Sequence, residues 1–402
     1  MQSRPIRFTA QPFTFPSTGE RIVIVEGPPH GIIYEPASIY ITINLRSHGL
    51  SPNTMLKQMQ AVTMLLNWAV DSNLDIEQRI GTCDLFLVEE IHALKEALRM
   101  HTGNGQRRDQ ELVSASHYTN RVIAVRDYVA WHVQRVIQRI PASGVHRVLE
   151  ARRRLDDFQR LMTSDLPAAR IRERNGLSDE IQQIFLDAIV PGSLTNPFKP
   201  PYQIRNYCLL LYYHEFGLRR GEPLKIKGED LALHGTHPIL MLRDRKDEIE
   251  DPRSREPRFK TYARDLAMGS VLVSATKKWL ADRSKNYPLA KRSPYLFLSR
   301  TGRPLSMNTV NDMFLLMRTK VPGLPPDFTV HHTRHNANDR FTAFAKEQGW
   351  DEATTKRNRN YMFGWAKTSD QGEKYTNRST REDAARASMA MQDRSVRGGF
   401  AP

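Results

Sequence analysis

Cysteine is nearly absent from the chain: Cys83 and Cys208 stand far apart in 402 residues. Two such separated thiols exclude a disulfide framework and a cysteine-spaced zinc site, and they fit a reducing compartment. Long hydrophobic runs are missing too. The richest, Cys208-Leu-Leu-Leu-Tyr-Tyr213, suits a buried core segment and falls far short of the ~20 apolar residues of a membrane span. The opening Met1-Gln-Ser-Arg-Pro-Ile-Arg-Phe8 has no apolar stretch of the signal-peptide kind. Acidic residues are in deficit, with 44 Asp+Glu against 59 Lys+Arg, a net charge of +15 and a pI near 9.8. That surplus favours a polyanionic partner, most commonly nucleic acid, although a basic soluble protein of another kind has the same balance. It carries no specificity, because phosphate contacts are blind to base sequence. Together these absences predict a cytoplasmic protein with no membrane partner, nucleoid-associated if bacterial.

A chain of this length is too long for one ordinary domain. Residues 1–45 read as an extension with short strands, of which Arg21-Ile-Val-Ile-Val25 is the most β-rich. Residues 46–145 read as a small helical bundle. Ser51-Pro-Asn-Thr54 starts one helix, with apolar residues at helical spacing from Met55 to Val70. A second helix covers Asp84–Met100, and a third runs from Ser114 to Ile140 until Pro141 ends it. Residues 146–176 are polar and basic with weak periodicity, containing Arg152-Arg-Arg154 and Arg170-Ile-Arg172-Glu-Arg174. They read equally as a solvated helix face plus linker or as a connector crossing a nucleic-acid backbone. A second domain spans 177–395, opened by a cap at Ser178, and a tail covers 396–402. Within it, Pro238–Arg243 and Phe259–Leu266 form a pair of strands around the charged loop Asp244–Arg258. Helices are expected at Arg205–Phe216, Val271–Arg283, Ser306–Arg318, Thr333–Glu347, Thr354–Phe363 and Glu382–Met391.

Five residues in that second domain suit one chemistry. Arg219 lies in Phe216-Gly-Leu-Arg-Arg-Gly-Glu222, which alone reads as a helix end with an exposed ion pair. His331 and Arg334, three apart, project to the same side of a helical turn. Arginine presents a planar fork to two phosphate oxygens, and two arginines on one phosphate can stabilise a pentacoordinate transition state without a metal. His331 or its neighbour His332 can donate a hydrogen bond or shuttle a proton. Trp365, usually a core residue, has an indole N–H donor. Tyr375, in the polar Glu373-Lys-Tyr-Thr-Asn377, is an exposed aromatic or a nucleophile that needs nearby cations, since a phenol ordinarily ionises near pH ~10.

The ordered set Gly217-Leu-Arg219-x-x-Glu222, His331-x-x-Arg334-His335, Gly364-Trp365 and Tyr375 resembles the tyrosine recombinases, or phage integrases. Arg205–Tyr213 resembles their apolar helix before the first arginine, and Leu296–Leu305 their strand-to-turn segment. The likeness covers about residues 45–395. One departure is Asn336-Ala-Asn338 after His335, where the family commonly has a small apolar run. The resemblance implies a mainly α chain with a small antiparallel β-sheet in the catalytic domain, forming a two-domain tyrosine-recombinase-like DNA clamp. Residues 46–145 would be the helical core-binding (SAM-like) DNA-binding domain and 177–395 the catalytic domain. It implies cleavage and rejoining of DNA through a 3′-phosphotyrosyl link on Tyr375. Arg219 and Arg334 would hold the phosphate, His331 and Trp365 would add donors, and Glu222 would orient the first arginine's surroundings. Lys260 or Lys246 would serve as general acid. Arg152, Arg153, Arg154, Arg172, Arg174, Arg220, Lys246 and His335 would contact DNA. No metal or cofactor is implied. The partners implied are duplex DNA with paired sites, a tetramer of the chain on that DNA, and an accessory recombinase or directionality factor. The alternative is a DNA-binding accessory protein that keeps the fold without cleaving.

Overall fold

The computed structural model describes residues 7–28, 31–101, 112–168, 176–287, 289–370, 372 and 388–389. The chain divides into two compact units, Met1–Ile171 and Arg172–Pro402. Among the described residues there are twelve α-helices and two three-stranded antiparallel sheets.

The first unit opens with a sheet in the order β1 (Thr9–Thr14), β2 (Arg21–Gly27), β3 (Ile32–Ile33). Along β2, Arg21, Val23 and Val25 are buried and the residues between them are half-buried, the two-residue alternation of a sheet with one covered face. A short helix α1 (Glu35–Tyr40) runs on as a π-helical stretch, Ile41–Arg46. Ser51 caps α2 (Pro52–Asp71), its hydroxyl accepting the Thr54 N–H at 3.2 Å, as Ser-Pro-Asn-Thr predicts. Then follow α3 (Ile76–Thr82), α4 (Val88–Arg99) and α5 (Ala115–Gln138), the last capped by Ser114. Helix α3 is additional to the helices expected from sequence, and α4 begins four residues after its expected start at Asp84.

The largest correction concerns residues 146–176. Val145–Thr163 forms a helix, α6, and Ala151, Leu155, Phe158 and Met162 on one face are buried in the core of this unit. The periodicity was masked because charged residues fill the rest of the helix and satisfy one another. Glu150 accepts from both Arg153 (3.0 Å) and Arg154 (2.8 Å), Asp157 from Arg160 (2.8 Å), and Arg154 also reaches Asp84 (2.7 Å). Arg153 and Arg154 are therefore ion-paired within the unit, while Arg152 is exposed. Arg172 and Arg174 lie outside the described residues.

Burial gives this unit an acid sensitivity. His132 on α5 packs its ring 4.6 Å from that of Tyr128 and 4.8 Å from that of Trp131. Burial, followed by the nearby Arg135, lowers its pKa to about 4. The unfolded chain takes up the proton first, so stability is full above the unfolded value near 6.5 and is lost as pH falls toward 4. The expected loss is about 3 kcal/mol between pH ~7 and pH ~4. Urea titrations of wild type and His132→Phe should diverge by that amount over this interval, and parallel titrations would sink the assignment.

The second unit is built around α8 (Pro200–Phe216), which follows α7 (Asp179–Ile189). From Cys208 to Tyr213 every side chain of α8 is buried, which explains its lack of an amphipathic face. The small sheet comprises β4 (Leu231–Ala232), β5 (Ile239–Leu242) and β6 (Arg264–Ala267) in that order. Helices α9 (Ser270–Asn286), α10 (Met307–Lys320), α11 (Val330–Glu347) and α12 (Glu352–Phe363) complete it. The expected helix at Glu382–Met391 falls almost wholly outside the described residues. No helix among the described residues is long and apolar enough to cross a membrane.

The returning strand expected over Phe259–Leu266 begins only at Arg264, opposite Leu242. The backbone before it bonds elsewhere: the Lys260 carbonyl accepts from the Arg219 guanidinium at 3.1 Å, and the Tyr262 N–H donates to the Gly364 carbonyl at 3.0 Å. Residues that would have extended the sheet instead line the candidate site.

Candidate active site

Two helix ends meet the start of α11. Helix α8 stops at Gly217 and α12 at Gly364, both left-handed with φ of 59° and 66°, a conformation glycine adopts without a side-chain clash. Space demands glycine as well: a Cβ on Gly217 would sit 2.7 Å from the Phe363 ring, and one on Gly364 2.5 Å from Arg264 Nη1. Arg334, on the second turn of α11 and only 1% exposed, binds both ends. Its Nη1 donates to the Gly217 carbonyl at 2.7 Å and its Nη2 to the Phe363 carbonyl at 3.0 Å. Its guanidinium lies 5.2 Å from the ring centroids of both Phe363 and Trp365.

Two residues beyond Gly217, the Arg219 N–H donates to Glu222 Oε2 at 2.5 Å. Glu222 is fully buried, and its other oxygen accepts from the Thr261 hydroxyl and from Arg264 Nη1 at 3.1 Å. Burial pushes its pKa up, but the charges of Arg264 and Arg334 and the hydrogen bonds outweigh that and hold it below the ordinary carboxylate range. The carboxylate is thereby kept ionised among arginines.

Of the residues expected from sequence, the fold brings together Arg219, Glu222, Lys260, Arg334 and Trp365. Lys260 is exposed with its main chain against Arg219. Lys246 instead pairs with Asp244 at 3.1 Å. His331 is exposed. His332 is buried, and its Nδ1 accepts the Thr329 N–H at 3.1 Å, capping α11. His335 is buried in α11. Arg220 donates to Asn311 at 2.6 Å, tying the turn to α10. Trp365 stacks on Phe363 at 5.4 Å. Tyr375 lies outside the described residues. The last described residue before it is Gly372, where a Cβ would lie 3.6 Å from the Trp365 ring.

Three features are set by tertiary partners and have no local signature in the sequence. Arg264 is the buried partner of Glu222. Asn336, the departure from the family pattern, accepts the Leu177 N–H at 2.6 Å and so fastens the start of the unit to α11. Lys225, three residues after Glu222, is completely buried with its ammonium 2.8 Å from Glu248, 3.4 Å from Asp251 and 2.5 Å from Glu256. Arg253 chelates Asp251, and the Tyr295 hydroxyl donates to Glu248 at 2.9 Å. This cluster pins the charged loop between β5 and β6. Its signal in the sequence was only an alternation of charge.

Residues 184–381 match the phage integrase family. They form a phage integrase family domain. Its fold is similar to the XerH site-specific recombinase bound to palindromic difH substrate, with a TM-score of 0.50 and 14% identity over 87% of this chain and 83% of that one. The Tn1549 transposon integrase in complex with circular intermediate DNA gives 0.49 and 17% over 88% and 99%. A lambda integrase tetramer bound to a Holliday junction gives 0.45 and 13% over 84% and 77%. No curated protein sequence matches the chain. The integrase domain thus contains all five converging residues, and Tyr375 falls inside it.

Proposed function

We propose that this protein is a site-specific DNA recombinase that cuts and rejoins strands through Tyr375, serving integration, excision or resolution of a mobile element. The observation that carries the reading is the convergence on Arg334. Its guanidinium joins the carbonyl two residues before Arg219 to the carbonyl two residues before Trp365, and Arg219 in turn rests on Lys260. Residues far apart in sequence become one cationic cluster of the kind a phosphodiester requires.

In this reading the Tyr375 hydroxyl passes its proton to His331 as its oxygen attacks the scissile phosphorus. The bond from phosphorus to the 5′-oxygen breaks, and that oxygen takes a proton from Lys260. Arg219 and Arg334 stabilise the charge gathered on the non-bridging oxygens, with His331 and the Trp365 indole as further donors. A 5′-hydroxyl of the partner strand then reverses the step and frees the tyrosine. One ester replaces another, so the bond energy is conserved and no oxidant or nucleotide is consumed. Joining two duplexes cuts four strands, one tyrosine for each, which calls for four copies on paired sites. Arg152 and the second unit's exposed cations would contact backbone phosphates.

The test is covalent trapping on nicked duplexes built from the sequences bordering the gene, with EDTA present. Wild type should give a protein–DNA band on a denaturing gel, and Tyr375→Phe should give none while shifting the same DNA on a native gel. Binding by both proteins without a covalent band from either would favour the accessory DNA-binding reading.

A further inference from the structure

We propose that Arg264 is a positioning residue that fastens the three segments bearing the candidate catalytic groups into one rigid piece; this rests on the recombinase reading above. Arg264 is buried, with only 1% of its side chain exposed. Its Nη1 donates to Glu222 Oε1 at 3.1 Å and to the Tyr262 carbonyl at 3.2 Å, while its Nε donates to the Met362 carbonyl at 2.8 Å. Glu222 belongs to the Arg219 turn and holds the Arg219 N–H. Tyr262 follows Lys260 by two residues. Met362 lies in the last turn of α12, three residues before Trp365. One planar fork therefore reaches all three segments, which a single ammonium cannot do.

Two neighbouring contacts follow the same lines. The Tyr262 N–H bonds the Gly364 carbonyl, and Thr261 bonds Glu222 Oε1. Gly364 lies so close to Arg264 that a Cβ there would come within 2.5 Å of Nη1. Charge adds to geometry: Glu222 stays ionised although buried because Arg264 and Arg334 face it. Arg264 thus fixes where Arg219, Lys260 and Trp365 stand and which protonation state of Glu222 supports them. It is not itself required to touch DNA.

Full-length wild type, Arg264→Met, Arg264→Lys and the double variant Arg264→Met with Glu222→Gln would be compared in three ways. Covalent trapping would be followed at saturating protein between about pH 6 and pH 9. Affinity would be read by gel shift, and backbone hydrogen exchange over 217–222, 259–264 and 361–365. Arg264→Met should trap roughly 100-fold more slowly, the scale of losing preorganised electrostatic donors, with affinity within about threefold. Exchange should rise in all three segments together. Its trapping rate should gain a rising limb with pH, because Glu222 without Arg264 ionises later, and the double variant should lack that limb. Should Arg264→Met fail to fold, Arg264→Lys carries the comparison, since it keeps the charge but loses the fork to Met362. Exchange confined to 262–266 with no new limb, or trapping at the wild-type rate, would overturn the proposal. If wild type forms no covalent product, the recombinase reading falls, and the exchange pattern alone decides whether Arg264 joins the three segments.

Discussion

Lys225→Met should destabilise the second unit by roughly 3–5 kcal/mol at neutral pH, the cost of removing one partner from a buried ionic cluster. The Lys225 ammonium is fully buried against Glu248, Asp251 and Glu256. Glu248 would keep Lys227 at 2.7 Å and Asp251 would keep Arg253 at 2.7 Å, but all three carboxylates would lose their shared cation. The pH dependence makes the test sharp. In wild type, burial pushes the Glu248 carboxyl up, but Lys225 and Lys227 outweigh it and bring its pKa to about 2. Asp251 is likewise lowered, chiefly by Arg253 against the cost of burial. Carboxylates lowered in this way give stability that is present above their unfolded values and is lost as pH falls through the folded ones. In the variant the balance reverses, because acid neutralises charge that no ammonium compensates. Wild type should weaken and Lys225→Met should strengthen between pH ~6 and pH ~4, read as urea midpoints. Slopes of the same sign would show that the cluster does not hold the loop.

Arg334→Lys should lower the rate of covalent trapping about 1000-fold at saturating protein, while DNA affinity changes by no more than roughly threefold. The lysine keeps the charge. It cannot hold the Gly217 and Phe363 carbonyls at once, so the ends of α8 and α12 are no longer joined through a common donor. Two charge-assisted hydrogen bonds become one, and stability should fall by about 2 kcal/mol. Single-turnover trapping beside gel shift separates the two effects. A rate within tenfold of wild type would show that Arg334 is structural only, and that the phosphate is held elsewhere.

What could be read from sequence was what local rules encode. Ser51, Ser114 and Ser178 announced helix starts because a hydroxyl at that position accepts an orphan N–H. Arg219, Glu222, Arg334 and Trp365, singled out by their spacing, are brought together by the fold. What escaped was fixed by tertiary partners. Helix α6 hid behind charges whose pairing needs Asp84 of another element. The short β6 reflects backbone groups bonded by Arg219 and Gly364 rather than by a neighbouring strand. Of the paired alternatives, the buried cap made by His332 and the Asp244 partner of Lys246 distinguish those residues from His331 and Lys260 in surroundings that no spacing rule reports.

The bond from the Leu177 N–H to Asn336 has a practical consequence for dissecting the protein. Leu177 precedes the family-matched stretch, which begins at residue 184. A fragment cut to that boundary would strip a buried amide oxygen of its donor two residues from Arg334, and would also remove Ser178, which caps α7. A fragment beginning at Gly176 would retain both. The minimal folding piece is therefore longer at its front than family similarity indicates, and a shorter one would misreport the chemistry of the intact chain.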